Sequence, residues 1–302
     1  MKSTLGAAAV LTLFVLIQVA QKNMGEHTEH RSPALPQPNH WFWQQRAYPT
    51  GQLNSAAHYR AVQQAQAARA ALAKQNIITS EWLPVGPTNI GGRITALAAH
   101  PHIPGILYAG AAAGGVFKSL NGGQTWQSIF DDQPALSIGA LAIDPVNPEV
   151  VYVGTGEANA SGDSYAGNGI YKTINGGASW QHLGLEATEH IGRIAIDPRR
   201  PERVYVAASG RLFGTNPERG IYRTTDGGNS WTRQLFLTDS TAAIDVVINP
   251  VQSDTVYAAM WERIRSPSRR IVGGLTSGIY RSFDGGAAWH PLASVLPVPK
   301  GF

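Results

Sequence analysis

From Glu81 onward, short apolar runs alternate with joints of Gly, Asn, Asp and Pro, and the same runs return at a regular distance. Four tryptophans mark the period, because Trp126, Trp180, Trp231 and Trp289 follow one another after 54, 51 and 58 residues. A period near 50 residues is typical of repeat architectures, in which each repeat forms one supersecondary unit. The period therefore predicts a chain of four similar units.

Each unit contains four short apolar runs in a fixed order. The first runs read ITALAAHP (94–101), IGALAIDP (138–145), IGRIAIDP (191–198) and AAIDVVINP (242–250). The second are ILYAG, VVYVG, RVYVA and TVYAA; the third are GVFKS, GIYKT, GIYRT and GIYRS; the fourth start at the tryptophan. Four short β-rich runs per unit, separated by turn-forming residues, predict an all-β fold: a β-propeller with four-stranded blades.

An eight-residue segment joins the third run to the fourth in every unit: SLNGGQTW (119–126), TINGGASW (173–180), TTDGGNSW (224–231) and SFDGGAAW (282–289). Its glycines allow positive φ, and its Ser or Thr and Asn or Asp side chains can hydrogen-bond the turn's own amides. At the third position of the segment, two units have Asn where the other two have Asp, and this exchange disfavours acid–base chemistry at that position. The residues expected to hold these turns are Ser119, Asn121, Gly123, Trp126, Thr173, Asn175, Gly177, Trp180, Thr224, Asp226, Gly228, Trp231, Ser282, Asp284, Gly286 and Trp289.

These four segments resemble the Asp-box, or bacterial neuraminidase repeat, of β-propellers, since they fit Ser/Thr-x-Asp/Asn-x-Gly-x-x-Trp. One departure is Ala288, which stands where Thr or Ser is usual. Residues 81–302 are more narrowly similar to sortilin-type and glycosyl-hydrolase-like propellers of exported bacterial proteins, on the segments WLPVGPTNIGGRI, YVGTGEAN and AAMWERIR. The resemblance implies a propeller that works outside the cytoplasm on a protein or carbohydrate ligand.

The N-terminal region differs from the repeats. Lys2 precedes a 14-residue apolar run from Ala7 to Ala20, a length that suits an export signal better than a membrane span. We expect residues 1–24 to be a signal peptide or, if uncleaved, an anchor, with a buried helix as the third possibility. Residues 25–80 are interpreted as a linker with one helix over 54–75, and 81–302 as a partial propeller. The predicted location is secreted, periplasmic or at the cell surface, with membrane contact only through the N-terminal segment.

The segment EWLPVGP (81–87) resembles a fourth strand without its first three. In many propellers such a strand completes the last blade of the ring. The four complete blades already have their own fourth strands, so this closing strand lacks the other three strands of its blade. We therefore expect an incomplete ring in the N-terminal part of a longer propeller. Four blades is also the low end of the range for propellers.

The amino-acid composition excludes or disfavours several kinds of functional site. The chain of 302 residues is 43% hydrophobic and 15% charged, as in globular proteins, and it has no cysteine, which excludes disulfides and thiolate sites. The charge of +4 comes from scattered basic residues, so no nucleic-acid partner is expected. His27 and His30 make a weak metal pair, and the acidic residues near Asp163 lack the Asp-x-Asp spacing of a calcium loop. We therefore expect no cofactor, with calcium only a weak possibility.

The loops between the second and third runs carry the insertions. In a propeller they share a face with the loops that connect successive blades, opposite the Asp-box turns, and variable loops concentrate function. We expect a protein or carbohydrate ligand on that face. The candidate binding residues are Trp261, Glu262, Arg263, Arg211, Tyr165, Asp163, Arg93 and His190. Arg193 and Asp245, at equivalent positions of adjacent units, are predicted to form an ion pair.

Three function classes remain open. The favoured one is a secreted or cell-surface module that binds protein or glycan, with Trp261 as an anchor and no catalytic set. The alternative is a glycoside hydrolase, sialidase-like or xyloglucanase-like, with Glu157, Asp131 and Glu189 as weak carboxylate candidates. The third is a structural scaffold.

Two departures weaken the hydrolase alternative. Xyloglucan-cleaving propellers carry a catalytic Asp in a segment like YARTDVGG, and the similar segment here, YAGAAAGG (108–115), has Ala112 at that place. Sialidases open their arginine triad with Arg-Ile-Pro, whereas GRIT (92–95) and GRIA (192–195) lack the proline.

Overall fold

The structure is a computed structural model, and it describes residues 38–51, 53–74, 92–266 and 270–292. The expected export signal, the pair His27 and His30, and the proposed closing strand at Trp82 lie outside the described residues. Within the described ranges, no helix is both long enough and apolar enough to cross a lipid bilayer.

The β-strands form four antiparallel sheets, each a meander of four strands. Blade 1 contains β1 (Ile94–Ala99), β2 (Leu107–Ala111), β3 (Val116–Ser119) and β4 (Gln127–Ser128). Blade 2 contains β5 (Ile138–Ile143), β6 (Val151–Thr155), β7 (Ile170–Thr173) and β8 (Gln181–His182). Blade 3 contains β9 (Ile191–Asp197), β10 (Arg200–Ala208), β11 (Gly220–Thr224) and β12 (Thr232–Leu235).

Blade 4 contains β13 (Thr241–Ile248), β14 (Val256–Arg265), β15 (Arg270–Val272), β16 (Gly278–Ser282) and β17 (His290–Pro291). β15 pairs only with the extended end of β14 and lies off the four-stranded path. The first strands β1, β5, β9 and β13 contact one another in series, so the blades are arranged side by side around their first strands. This arrangement is a β-propeller, which confirms the predicted fold class.

The hydrophobic core is divided among the junctions between blades. One cluster joins blades 1 and 2, a second joins blades 2 and 3, and a third joins blades 3 and 4. Leu141, Ile194 and Val246 occupy equivalent first-strand positions and are 8%, 4% and 1% exposed, whereas their equivalent Leu97 is 72% exposed. Leu97 therefore lies on a face of blade 1 that no described blade covers.

The turn between the third and fourth strands has the same hydrogen bonds in every blade. In blade 1 the hydroxyl of Ser119 accepts from the amide of Gly123 at 2.9 Å, and Asn121 Oδ1 accepts from the amide of Thr125 at 2.9 Å. In blade 4 the amide of Ala288 makes the second of these bonds, so the departure at Ala288 removes only a side-chain contact. Backbone amides bond to Asn and Asp oxygens equally well, which explains why both residues occur at this position.

These turns lie on the side of the loops between first and second strands. The amide of Gly176 donates to the carbonyl of Glu149 at 2.9 Å, and that of Gly227 donates to the carbonyl of Glu202 at 2.9 Å. Glu149 lies in the loop that joins the first two strands of its blade, and Glu202 lies near the start of the second strand of its blade, next to that loop. The turns therefore occupy the face on which the sequence placed them.

Adjacent blades are also joined through the same turns. The hydroxyl of Tyr152, in blade 2, and Nζ of Lys172, in the same blade, both donate to the carbonyl of Gly227 in blade 3, each at 3.0 Å. In the opposite direction, Nε1 of Trp231 donates to the carbonyl of Leu183 in blade 2 at 2.9 Å. We call the bonds from these Tyr and Lys or Arg side chains to the next turn the interblade hydrogen bonds.

Within the described ranges, two helices precede the propeller: α1 (Pro38–Ala47) and α2 (Ser55–Lys74). α2 confirms the helix predicted over 54–75. α1 corrects the expectation of a linker with a single helix; it begins at a proline, a residue that suits the first turn because its missing N–H is not needed there. Tyr59 of α2 donates to the carbonyls of Ala166 and Gly167, at 3.1 and 2.7 Å, and so attaches the helix to blade 2.

Candidate functional site

A cavity of about 800 Å³ lies between the helices and the propeller, within the volume range of ligand sites. The propeller side of its wall comes from the loops between second and third strands and from the loops that connect blades. α2 closes the other side with His58, Tyr59, Val62 and Gln66. The cavity is therefore on the face opposite the repeated turns, where the sequence placed the variable loops.

Five of the candidate residues from the sequence lie together in the cavity wall. They come from four different loops on blades 1 to 3: Asp131, Tyr165, Glu189, His190 and Arg211. Among the described residues of this wall, Asp131 and Glu189 are the carboxylic acids. Most enzymes that hydrolyse glycosidic bonds use a pair of carboxyl groups, and this cavity wall contains two.

Glu189 occupies an unusual backbone position. It follows a single turn of 3₁₀-helix (Glu186–Thr188) and has φ of 54°, which is rare for a residue other than glycine. Burial raises the pKa of its carboxyl group, and the guanidinium of Arg211, whose Nε lies 3.5 Å from Oε1, partly opposes that rise. Glu189 therefore holds its proton to a higher pH than an exposed glutamate does.

His190 is fully buried next to Glu189. Its Nδ1 lies 3.1 Å from the carbonyl of Gly210, so Nδ1 carries the proton and donates it, because a carbonyl can only accept. Burial and the nearby charges of Arg263 and Arg219 lower the pKa of His190 to about 3. The ring is therefore neutral at pH 7, and Nε2 is a buried acceptor with no hydrogen-bond partner among the described residues.

Asp131 lies on the loop between blades 1 and 2, and the hydroxyl of Ser128 donates a hydrogen bond to it. Tyr165 lies on the loop between β6 and β7, and its ring is half exposed. The guanidinium carbon of Arg46, from α1, lies 4.5 Å from the centre of that ring. An aromatic ring with an adjacent cation can pack against the apolar face of a ligand at this end of the cavity.

Glu157 does not line the cavity, which corrects its place among the catalytic candidates. Its carboxylate is buried and accepts hydrogen bonds from Arg93 Nη2 at 2.7 Å and from Ser164 Oγ at 2.7 Å. Arg93 Nη1 and Asn159 bond to the second oxygen. Because both oxygens are engaged, Glu157 and Arg93 form a structural ion pair between blades 1 and 2.

The candidates Trp261, Glu262 and Arg263 also lie outside the cavity wall. The sequence placed them on a loop, but β14 continues through them to Arg265 and pairs with β15. Arg263 is only 2% exposed and donates to Ser209 Oγ at 3.0 Å, so it is not the surface binding residue that the sequence suggested. Glu262 accepts from the hydroxyl of Thr276 at 2.7 Å.

Two further expectations concern charged residues. Arg193 Nε lies 2.8 Å from Asp245 Oδ1, which confirms the predicted ion pair between blades 3 and 4. Asp163 is exposed and does not belong to the cavity wall. No group of three or more acidic or histidine residues that could hold a metal is present in the described part of the chain.

The residues that the sequence analysis missed come mostly from the helices. Arg46, His58, Tyr59, Val62 and Gln66 line the cavity, together with Phe213 on the loop between β10 and β11. The absence of Gly and Pro over 54–75 revealed α2, but nothing in the sequence indicated which surface of the propeller it covers. Burial raises the pKa of the Tyr59 hydroxyl well above its usual value, so it stays protonated and continues to donate to its two carbonyls.

Comparisons with known proteins point to carbohydrate enzymes. No known protein-family profile matches the chain. Over 235 residues it is 25% identical to a xyloglucanase from Paenibacillus sp, and this match covers 70% of this chain and 22% of that protein. Over 239 residues it is 26% identical to a xyloglucanase from Hypocrea jecorina, and this match covers 70% of this chain and 27% of that protein. The chain thus spans about a quarter of the length of these relatives.

A solved structure shares the fold. The crystal structure of the GH74 xyloglucanase from Xanthomonas campestris matches with a TM-score of 0.50 and 21% identity, over 68% of this chain and 31% of that one. The chain is therefore similar to xyloglucanases in sequence and has a propeller fold in common with one of them.

Proposed function

We propose that the protein acts on polysaccharides as a glycoside hydrolase, and that the cavity beneath α2 is its active site. The observation that carries this proposal is the pair Glu189 and Asp131 on one cavity wall, in different environments. Glycosidases use two carboxyl groups whose surroundings separate their roles into acid and base. Similarity to xyloglucanases supports the same class. This proposal replaces the non-catalytic binding module that the sequence favoured.

The proposed roles follow from the two environments. Glu189, whose pKa is raised by burial, donates its proton to the glycosidic oxygen as the C–O bond to the anomeric carbon breaks. Asp131 acts from the other side of the anomeric carbon. It either removes a proton from the attacking water or bonds to the carbon first, depending on the separation of the two carboxyl groups around the sugar.

The rest of the wall would position the sugar. Tyr165 and Phe213 offer aromatic surface to the apolar faces of sugar rings, and Nε2 of His190 accepts a hydrogen bond from a sugar hydroxyl once that hydroxyl enters. The substrate class that the relatives' names suggest is xyloglucan. Because Ala112 occupies the place of an Asp in the xyloglucanase-like segment, we assign the chemistry to Glu189 and Asp131 instead.

The test is hydrolysis of xyloglucan and of other polysaccharides by the full chain, compared with Glu189→Gln and Asp131→Asn. Each substitution keeps size and hydrogen bonding but removes a proton donor or a charge, so activity should fall by about 10²–10⁴-fold. Glu186→Gln, an exposed glutamate three residues away, and Asp132→Asn, next to Asp131, are the matched controls and should stay within about twofold. Undiminished hydrolysis by either site variant would rule out the assigned roles.

A second candidate is carbohydrate binding without hydrolysis, which Ala112 favours. In that case calorimetry would detect binding of xyloglucan oligosaccharides while no reducing ends accumulate. Tyr165→Ala would then weaken binding, and Glu189→Gln would leave it nearly unchanged, since an amide can replace a carboxylic acid as a hydrogen-bond partner.

We also propose that the four turns are Asp boxes and that the protein is exported, so that it meets its polysaccharide outside the cytoplasm. The identical turn hydrogen bonds in all four blades support the first proposal. The apolar run from Ala7 to Ala20 supports the second. N-terminal sequencing of the chain recovered from the medium or periplasm shows whether residues 1–24 have been removed.

A further inference from the structure

Two arginines are buried beneath the loop of blade 3 that contributes to the cavity wall. Arg219, the residue before β11, is fully buried, and Arg263, in β14, is 2% exposed. Arg219 Nη2 donates to the carbonyls of Arg211 and Gly214, at 3.2 and 3.0 Å. Arg263 Nη1 donates to the carbonyl of Leu212 at 3.4 Å. The two guanidinium groups therefore support the segment that places Arg211 and Leu212 in the wall.

Neither buried guanidinium forms an ion pair with a carboxylate in the described part of the chain. Both donate to backbone carbonyls, and Arg263 also donates to the hydroxyl of Ser209 at 3.0 Å, while Nε of each arginine is buried without a partner there. Asp239, the acid that acts electrostatically on Arg219, is exposed to solvent. Carbonyl dipoles satisfy N–H groups but do not cancel a full charge, and a buried charge without a counter-charge is unfavourable. The described residues therefore leave two buried positive charges uncompensated.

Neighbouring arginines increase the positive charge at this place. Burial lowers the pKa of Arg263 to about 9, and the charges of Arg219, Arg265 and Arg270 contribute to the fall. Arg263 is still protonated at pH 7, because its pKa stays above that value. Asp163, the acid that acts on Arg265, is exposed and so is weakened by solvent. The arginines thus form a group of like charges whose nearby acids lie at the surface.

Two residues connect this positive group to the cavity. His190 lies in the cavity wall, and the charges of Arg263 and Arg219 both act on its ring. Arg211 lines the same end of the cavity with a side chain that is 52% exposed, and its Nε lies 3.5 Å from Glu189 Oε1. As the proton donor of the proposed function, Glu189 is uncharged when the substrate binds and does not neutralise Arg211. The blade 3 end of the cavity is therefore positively charged, with one guanidinium group open to a ligand.

We propose that the polysaccharide bound in this cavity is acidic, and that the carboxylate of a uronic acid unit binds to Arg211. The inference rests on the proposed function and narrows its substrate class. A planar guanidinium group matches a carboxylate with two parallel hydrogen bonds. The charges of Arg219 and Arg263 add to the attraction, because protein rather than water separates them from the cavity. A neutral polysaccharide such as xyloglucan would leave this end of the cavity without a counter-charge.

The test compares ligands that differ only in charge. Oligosaccharides of glucuronoxylan, polygalacturonate and alginate are each paired with their carboxyl-reduced form, which has the same linkages but neutral sugars. Calorimetry with the full chain at low salt measures the affinity for both members of each pair. We expect at least one acidic member to bind about tenfold more tightly than its neutral form, the gain from one charge-assisted contact. Salt at about 0.5 M should reduce this ratio, because ions screen a partly exposed charge pair.

Substitution of Arg211 tests where the carboxylate binds. Arg211→Gln keeps N–H donors but removes the charge, so the affinity ratio of the preferred pair should fall to within about twofold of one. Arg199→Gln is the matched control. It removes the same charge from an exposed position of blade 3, between β9 and β10 on the opposite face, and the ratio should remain that of the parent chain.

Binding and hydrolysis together separate the acidic ligand from the hydrolase. A chain that prefers an acidic member but releases no reducing ends would support the acidic ligand and overturn the hydrolase. Hydrolysis of xyloglucan, with equal affinity for both members of every pair, would overturn the acidic ligand and leave the hydrolase. A preference that survives Arg211→Gln unchanged would also overturn the inference, since the carboxylate would then bind elsewhere. Absence of binding to all of these glycans would overturn both.

Discussion

Arg93 Nη2 donates a hydrogen bond of 2.7 Å to Glu157 Oε1, joining the residue before β1 to the residue that follows the turn after β6. Glu157 is 1% exposed, while the Arg93 side chain is 45% exposed. A carboxylate whose two oxygens are both engaged in this way stabilises the junction of blades 1 and 2 and does not face the cavity. Its removal should therefore affect stability more than chemistry.

The first prediction concerns this ion pair. Glu157→Gln should lower the free energy of unfolding by about 2 kcal/mol, less than for a fully buried pair because Arg93 reaches solvent. Polysaccharide hydrolysis, measured well below the melting temperature, should stay within about threefold. Asp163→Asn, an exposed acid on the same loop, is the control for the lost charge. A large loss of hydrolysis by folded Glu157→Gln would contradict this division of roles.

The second prediction concerns His190. Its pKa is about 3 in the folded protein and near 6.5 when unfolded, so between these values the unfolded chain binds one more proton than the folded chain. Stability from this group is complete above pH 6.5 and is lost as the pH falls, by about 1.4 kcal/mol per pH unit. His190→Asn, which can still donate to Gly210, should lose this part of the slope between pH 6 and 4.

Denaturant unfolding at several pH values measures that slope. Other groups titrate in the same range, so the informative quantity is the difference between the parent chain and His190→Asn. Parallel curves for the parent chain and His190→Asn would show that His190 is charged in the folded state.

The third prediction concerns the interblade hydrogen bonds. Tyr152→Phe and Tyr205→Phe remove hydroxyl bonds of 3.0 and 2.8 Å to the next blade's turn, and each should cost about 1 kcal/mol of stability. The cost is moderate because Lys172 or Arg223 still bonds to the same carbonyl. Tyr48→Phe, at an 84% exposed tyrosine, should change stability by less than about 0.3 kcal/mol. Equal stability of all three variants would mean that the junctions depend on apolar packing alone.

The sequence predicted the blades well because the period of the tryptophans and the order of the four runs repeat the same local physics. The pairing of Arg193 with Asp245 could be predicted for the same reason, since equivalent positions of neighbouring repeats face each other. The turns followed from residue types alone, because glycine freedom and Asx hydrogen bonds act within eight residues.

The site could be predicted only in part. Asp131, Glu189 and His190 were recognised because loops that join blades lie on a known face. The burial of Arg263 was not, because β14 continues through a segment whose sequence is as polar as a loop. The role of Glu157 depends on Arg93, which lies 64 residues earlier in the chain. The position of α2 over the cavity depends on contacts to distant loops, which the sequence of the helix alone does not predict.

The hydrogen bonds that attach α2 to the propeller affect how readily a ligand reaches the cavity. To the described part of the propeller, its long-range side-chain hydrogen bonds are those of Tyr59 and a bond of 2.7 Å from Gln66 to the carbonyl of Asp132, and most of its described side chains face solvent. A polysaccharide that needs the space under α2 competes with the protein's own helix for the same wall. Its apparent affinity is then the intrinsic affinity multiplied by the fraction of molecules in which the helix is displaced. The strength of those few hydrogen bonds would therefore contribute to the apparent affinity for the polysaccharide, independently of the residues that contact the sugar.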